Sequence, residues 1–122
     1  MRFSIWPGLA QPWSDVLDVA RHAEATGWDG LYHADHFMGD AGGGFGDVAA
    51  PMLEATAALP ALAVATGRLR LGTLVLGNTY RHPAVLANWA ATVDQLSGGR
   101  LLLGVGAGWQ ENEHEQYGIA LG

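Results

Sequence analysis

The sequence predicts a parallel α/β fold, and three observations carry that prediction. Strand-like and helical segments alternate four times along the 122 residues. Residues 69–76 are apolar almost without interruption, the pattern of a strand covered on both faces. Proline and glycine punctuate the points where one period gives way to the other. Successive βα units imply parallel strands joined by right-handed crossovers, which leaves two architectures open: a doubly wound sheet or a segment of a closed barrel.

Residues 2–6 alternate Phe3 and Ile5 and stop at Pro7-Gly8, a short first strand running into a loop. A first helix follows, with Ser14 as its expected cap, Asp15 and Asp18 near its positive end, and Gly27 closing it. Its apolar positions Val16, Val19, Ala20 and Ala23 keep the 3.6-residue period. Residues 30–35 form the second strand. The loop at residues 38–50 contains Gly42-Gly43-Gly44, which cannot hold regular structure and is expected to be mobile.

Residues 52–66 are dense in alanine and leucine and should be helical, with Pro51 in the first turn, Gly67 at the end and a kink at Pro60. The third strand spans residues 69–76 and lies inside the sheet. Pro83 opens a third helix whose expected core face is Val85, Leu86, Trp89, Ala90, Val93 and Leu96, with Gly98-Gly99 as its stop. Residues 101–105 form strand four, and residues 111–117 begin a fourth helix.

Composition narrows the function classes. With 49% apolar residues the chain can bury one core and is too short for two, so residues 1–122 are expected to be one folding unit. Twelve acidic residues against six arginines, no lysine and a net charge of -6 offer no broad surface to nucleic acid or an anionic membrane. The absence of cysteine excludes disulfides and thiolate metal sites and suits a reducing compartment. No stretch reaches the roughly 18 apolar residues of a membrane span, and no signal segment opens the chain, so the expectation is a soluble, cytoplasmic protein.

In parallel α/β folds ligands bind at the carboxyl ends of the strands. His33-Ala34-Asp35-His36 places two imidazoles and a carboxylate at the second exit. His36 lies where a reacting group would sit, with Asp35 as its support, although a histidine there is often only a hydrogen-bonded structural residue. No third ligand of suitable spacing accompanies them, so no metal is expected. Gly104, Gly106 and Gly108 alternate after strand four, either to let backbone approach a flat ring or phosphate or to form a tight turn, and they do not make the dinucleotide fingerprint. Trp6 and Trp109 could wall a planar cofactor or simply pack over the strand exits. Glu111, Glu113 and Glu115, with His114, are expected to form a solvated helix face.

Several ordered motifs together resemble the luciferase-like monooxygenase superfamily, most closely its branch using the deazaflavin coenzyme F420. They are Arg2 through Trp6; Ala23-Glu24-Ala25-Thr26-Gly27-Trp28-Asp29-Gly30 with Ala34-Asp35-His36-Phe37; Leu71 through Pro83; Leu96 through Leu101; and Gly104 through Trp109. The resemblance spans the whole chain. It implies a parallel (β/α)4 half of a TIM barrel, truncated relative to the roughly 250 residues of a complete one. Open sheet edges would then favour a homodimer or higher assembly.

The resemblance further implies hydride transfer between coenzyme F420 and an organic substrate, with FMN-dependent oxygenation or an inactive self-assembling fragment as alternatives. His36 would be the acid/base or stabilising group. Asp35, Leu74, Val75, Gly77, Asn78, Gly106, Ala107, Gly108 and Asn112 would contact the cofactor, and the Leu74-Val75 peptide would be cis. Some similar dehydrogenases carry a carboxylate at the position of Trp109 and an indole at that of Asp40, so those two roles are not carried over.

Overall fold

The computed structural model describes residues 1–8, 10–40 and 46–121, and the expectation for Gly42-Gly43-Gly44 therefore lies outside the described residues. The elements run β1 (Ser4–Ile5), α1 (Trp13–Ala25), β2 (Gly30–His33), α2 (Ala55–Ala65), β3 (Arg70–Thr73), β4 (Leu76–Gly77), α3 (Pro83–Ser97), β5 (Leu101–Leu102), β6 (Val105–Gly106) and α4 (Glu111–Tyr117). All pairings are parallel, in the orders β1-β2-β3-β5 and β4-β6. Each successive strand adds to the same side of the last. A doubly wound sheet would reverse its strand order at a switch point, so the sequential order is that of a barrel wall.

Strands three and four each divide in two. The Leu74-Val75 peptide is cis and lies between β3 and β4. Opposite it, Gly104 separates β5 from β6, and the Thr73 hydroxyl bridges the gap, donating to the Gly104 carbonyl at 2.8 Å and accepting its N–H at 2.9 Å. The ladder resumes where Leu76 N–H reaches Gly104 O at 2.9 Å. The apolar run at 69–76 correctly marks an interior strand, but periodicity carries no sign of this interruption.

The main core joins α1 and α2 to the sheet through Val16, Ala20, Ala23, Leu31, Leu59, Leu62, Leu69 and Leu71. α1 begins at Trp13 after Pro12, so Ser14 is inside the helix rather than its cap, and its hydroxyl turns to Asp15 at 3.0 Å. Its other end is as expected: Gly27 takes φ +86° and Trp28 N–H bonds Ala23 O at 2.9 Å, closing the last turn with a left-handed glycine. α2 starts three residues later than the alanine pattern suggests, because the Glu54 side chain caps it by accepting Ala57 N–H at 2.7 Å.

Pro60 has no N–H to give Thr56 O, the carbonyl four residues earlier. The Trp89 indole of α3 donates to that carbonyl at 2.9 Å instead. A residue that would weaken α2 alone thus becomes its hydrogen-bonded joint with α3. On α3 the buried residues are Leu86, Val93 and Ser97, whereas Val85 is 64% exposed and Leu96 52% exposed. Those two sit about 90° round the helix from the Leu86–Val93 stripe, so the expected core face was too broad.

Below the sheet, the Arg100 guanidinium spends all five donors on protein oxygens: Ser97 O, Thr66 Oγ1, Leu69 O, Ala63 O and Thr66 O, at 2.6–3.1 Å. Two helix C-termini, of α2 and α3, are neutralised by one cation. Glu24 does the reverse for the turn after α2, accepting the N–H groups of Gly67, Arg68 and Leu69. Its carboxyl is held below its ordinary value because those bonds outweigh the effect of burial. Among the described residues no helix is long and apolar enough to cross a membrane.

Replacing Arg100 by Ala leaves several carbonyls without a partner and should lower unfolding stability by about 3 kcal/mol. Val85→Ala should change it by less than about 0.5 kcal/mol. Urea titration of both variants checks the pair, and equal losses would contradict the assignment of Val85 to a solvent-facing flank.

Candidate active site

At the strand exits Leu74, Val75 and the backbone of Gly106, Ala107 and Gly108 line a cleft of about 190 Å³. Trp6, Trp109, His36, Asp35, Gly77 and Tyr80 complete its lining. Pockets for drug-sized molecules begin near 300 Å³, so this cleft is too small to enclose one. Leu74 and Val75 are 46% and 40% exposed there and, with Trp6 and Trp109, give the cleft exposed apolar surface.

Of the residues expected at the site, eight meet in this cleft: His36, Asp35, Leu74, Val75, Gly77, Gly106, Ala107 and Gly108. Asn78 and Asn112 do not line it. Asn78 is exposed and its N–H continues the ladder to Gly106 O, whereas the Asn112 amide donates to Gly39 O at 3.1 Å on the far side of Trp109. The glycine alternation has an internal cause. A Cβ on Gly104 would sit 2.3 Å from Thr73 O, and one on Gly106 would sit 2.5 Å from Val75 Cγ2, so both lack side chains because the Thr73–Val75 segment crosses against them.

The carboxylate supporting His36 is Glu113, not Asp35. His36 Nδ1 lies 3.0 Å from Glu113 Oε2, which also accepts from the Tyr80 hydroxyl, while Glu113 Oε1 accepts from Phe37 N–H. Asp35 instead receives Gly77 N–H at 2.9 Å and both Arg81 nitrogens, at 2.5 and 2.8 Å. Arg81 also reaches Glu54 at the start of α2. The strand-face argument failed because Asp35 lies beyond the end of β2, where alternation no longer sets side-chain direction.

The expectation of a solvated face on α4 holds for Glu111 and Glu115, which are exposed, and is corrected for the other two: Glu113 is 0% exposed and His114 2% exposed. His114 is held by Gln110 O at 2.7 Å and Thr79 Oγ1 at 2.7 Å. One signal for this was present. Gln110, Glu113 and His114 recur at i, i+3 and i+4, the spacing of a single helix face, but a polar stripe reads as solvated unless partners for it are known. Tyr80 and Arg81, both missed, carried no comparable pattern.

Burial alone would raise the Glu113 carboxyl; the bonds from His36, Tyr80 and Phe37 outweigh it and hold the group below its ordinary range. Tyr80 moves the other way, pushed far up by burial and by its bond to Glu113, so the phenol keeps its proton. At the neighbouring pair burial opposes ionisation, but Asp35 and Glu54 hold Arg81 charged, and Arg81 with Thr56 holds Glu54 below its usual value. The ring of His36 meets Trp109 edge-on at 5.6 Å between centroids.

A sequential parallel βα wall with a histidine-containing cleft at its strand exits defines one half of a TIM barrel. The chain belongs to the luciferase-like monooxygenase family, which matches residues 1–122. It is 42% identical over 102 residues to the F420-dependent glucose-6-phosphate dehydrogenase of Amycolatopsis mediterranei (strain U-32), covering 81% of this chain and 28% of that protein. It is 38% identical over 102 residues to the 4-hydroxyprotoasukamycin monooxygenase of Streptomyces nodosus subsp. asukaensis, covering 84% and 25%. Among solved structures, an F420-dependent secondary alcohol dehydrogenase in complex with an F420-acetone adduct superposes with a TM-score of 0.81 at 27% identity, covering 96% of this chain and 34% of that one. The chain thus spans about a quarter of the length of the curated relatives it matches.

Glu54 and Glu113 ionise in the fold below their ordinary value of 4.5, so the unfolded chain binds more protons as pH falls. The stability they supply is complete above about 4.5 and is lost as pH drops through the lower folded values. Glu113→Gln should therefore flatten, without abolishing, the acid slope of unfolding free energy measured by urea titration between pH 3 and pH 7; an unchanged slope would show that Glu113 ionises normally.

Proposed function

We propose that this chain supplies the reactive half of an F420-dependent oxidoreductase site that moves hydride between the deazaflavin and an organic substrate. The observation that carries the reading is the combination of an apolar platform at Leu74-Val75 with a carboxylate-held histidine facing it across one cleft. A planar ring fits that lining: aliphatic side chains offer a face, indoles offer edges, and the side-chain-free Gly106 and Gly108 allow close backbone approach. The relatives described as F420-dependent support the cofactor.

When bound, the deazaflavin supplies the hydride acceptor or donor. This chain's residues do the rest: Leu74, Val75 and the 106–108 backbone orient the ring, Trp6 and Trp109 exclude water, and His36 moves the proton that accompanies hydride. Asp35 acts at one remove by fixing Gly77 N–H and Arg81. The monooxygenase relative at 38% identity favours a second reading in which FMN occupies the same platform. A cytoplasmic setting suits a chain without cysteine.

We also infer self-association through the sheet edges. β1 and the β5–β6 side are edge strands bearing exposed Phe3, Leu103 and Val105, apolar surface that a second copy could cover.

Fluorescence titration with coenzyme F420 and, separately, with FMN tests the cofactor, while light scattering reports mass. Saturable F420 binding that weakens at least tenfold in His36→Ala is the expected result. Preference for FMN would move the site to the second reading, binding of neither would remove both, and a monomeric mass at micromolar concentration would end the self-association proposal.

A further inference from the structure

Two segments, the exit of β2 and the turn after β4, send hydrogen-bond donors to one buried carboxylate on α4. Glu113 accepts the backbone N–H of Phe37, the hydroxyl of Tyr80 and an edge of the His36 ring, and its side chain is 0% exposed. We propose that Glu113 is the positioning residue of His36: it fixes the proton of the neutral ring on Nδ1, leaving the lone pair on Nε2, and balances the imidazolium formed when Nε2 takes a proton.

The argument is one of donor bookkeeping. An ionised carboxylate only accepts, an amide N–H only donates, and a phenol that keeps its proton is satisfied here by donating. The Glu113 carboxyl is held ionised and Tyr80 is held protonated. Of the groups on Glu113 only the imidazole has a choice, and facing an acceptor at 3.0 Å it must present N–H from Nδ1. The other nitrogen is then basic in the neutral ring. A proton taken there makes a cation whose other nitrogen lies 3.0 Å from a buried carboxylate of opposite charge. A histidine without this partner would divide between its tautomers and lose the orientation that the bond enforces.

For the reaction, the inference rests on the hydride-transfer reading. In the oxidative direction an alcohol O–H bond would break and its proton move to Nε2, the O–H electron pair forming the carbonyl π bond as the carbon gives up hydride, for which the deazaflavin would be the acceptor. In the reductive direction Nε2–H returns the proton to the carbonyl oxygen. Glu113 touches neither substrate nor cofactor and acts only through His36.

Long-range ¹H–¹⁵N correlation spectra of the labelled chain at alkaline pH test the assignment without cofactor, the His36 signals being identified by their loss in His36→Ala. The expected spectrum has a pyrrole-type Nδ1 and a pyridine-type Nε2. In Glu113→Gln, whose amide N–H can face the ring in place of Oε2, the two types should exchange. A pyrrole-type Nε2 in the unsubstituted chain overturns the proposal, as does a folded Glu113→Gln that keeps Nδ1–H. Should the Gln variant not fold, the unsubstituted spectrum still decides, and Tyr80→Phe, which retains the carboxylate, must keep Nδ1–H. An Nδ1–H ring in a chain that binds no deazaflavin would sink the functional reading and leave the role of Glu113 standing.

Discussion

The fully buried carboxylate of Glu113 is the constraint on which the site depends. Removing such a group from water costs several kcal/mol unless donors replace its hydration, and no single segment here could supply them. The exit of β2 contributes His36 and Phe37 N–H, the segment after β4 contributes Tyr80, and α4 contributes the carboxylate itself. α4, only seven residues long, is too short to be stable by itself. Its position follows from these bonds and from aromatic contacts around them: Phe37 lies 4.8 Å from Tyr80 and 5.0 Å from Tyr117, and Tyr80 5.0 Å from His114. The interaction that holds the histidine therefore also closes this end of the fold.

The two ends of the sheet use charge differently. Beneath it, Arg100 and Glu24 satisfy backbone groups at helix ends and turns. Above it, Glu113, Asp35 and Glu54 each accept a backbone N–H and also meet side chains, and Arg81 spans two of them across the β2 exit and the start of α2. Backbone groups cannot be exchanged by substitution, so the lower end works as a fixed joint. Side-chain pairs can be, and they are where chemistry can be altered while the barrel wall remains.

The division between what the sequence revealed and what it hid follows the same line. Apolar spacing located the first three helices and the interior strand, because burial against a sheet is a periodic demand that Leu59, Leu62, Leu71 and Val93 answer locally. Residues after the strands brought His36, Leu74, Val75 and Gly106 to one cleft. The pairings Glu113–His36 and Asp35–Arg81 join positions 77 and 46 residues apart, and nothing in local periodicity registers a partner at that distance. The same polar stripe on α4 can be solvated or buried, and only its partners decide.

The apolar platform has a backbone origin. Thr73 spends its hydroxyl on both polar groups of Gly104, which brings the two chain segments too close for a side chain at that glycine. Val75 packs against Gly106 in the same way. With the space beneath them filled by neighbouring backbone, Leu74 and Val75 present their side chains to the cleft rather than to the core. Exposed aliphatic surface is unfavourable in water. At this place it persists because the hydrogen-bonded crossing below leaves it no interior position, and a planar ring laid over it would remove that exposure from solvent.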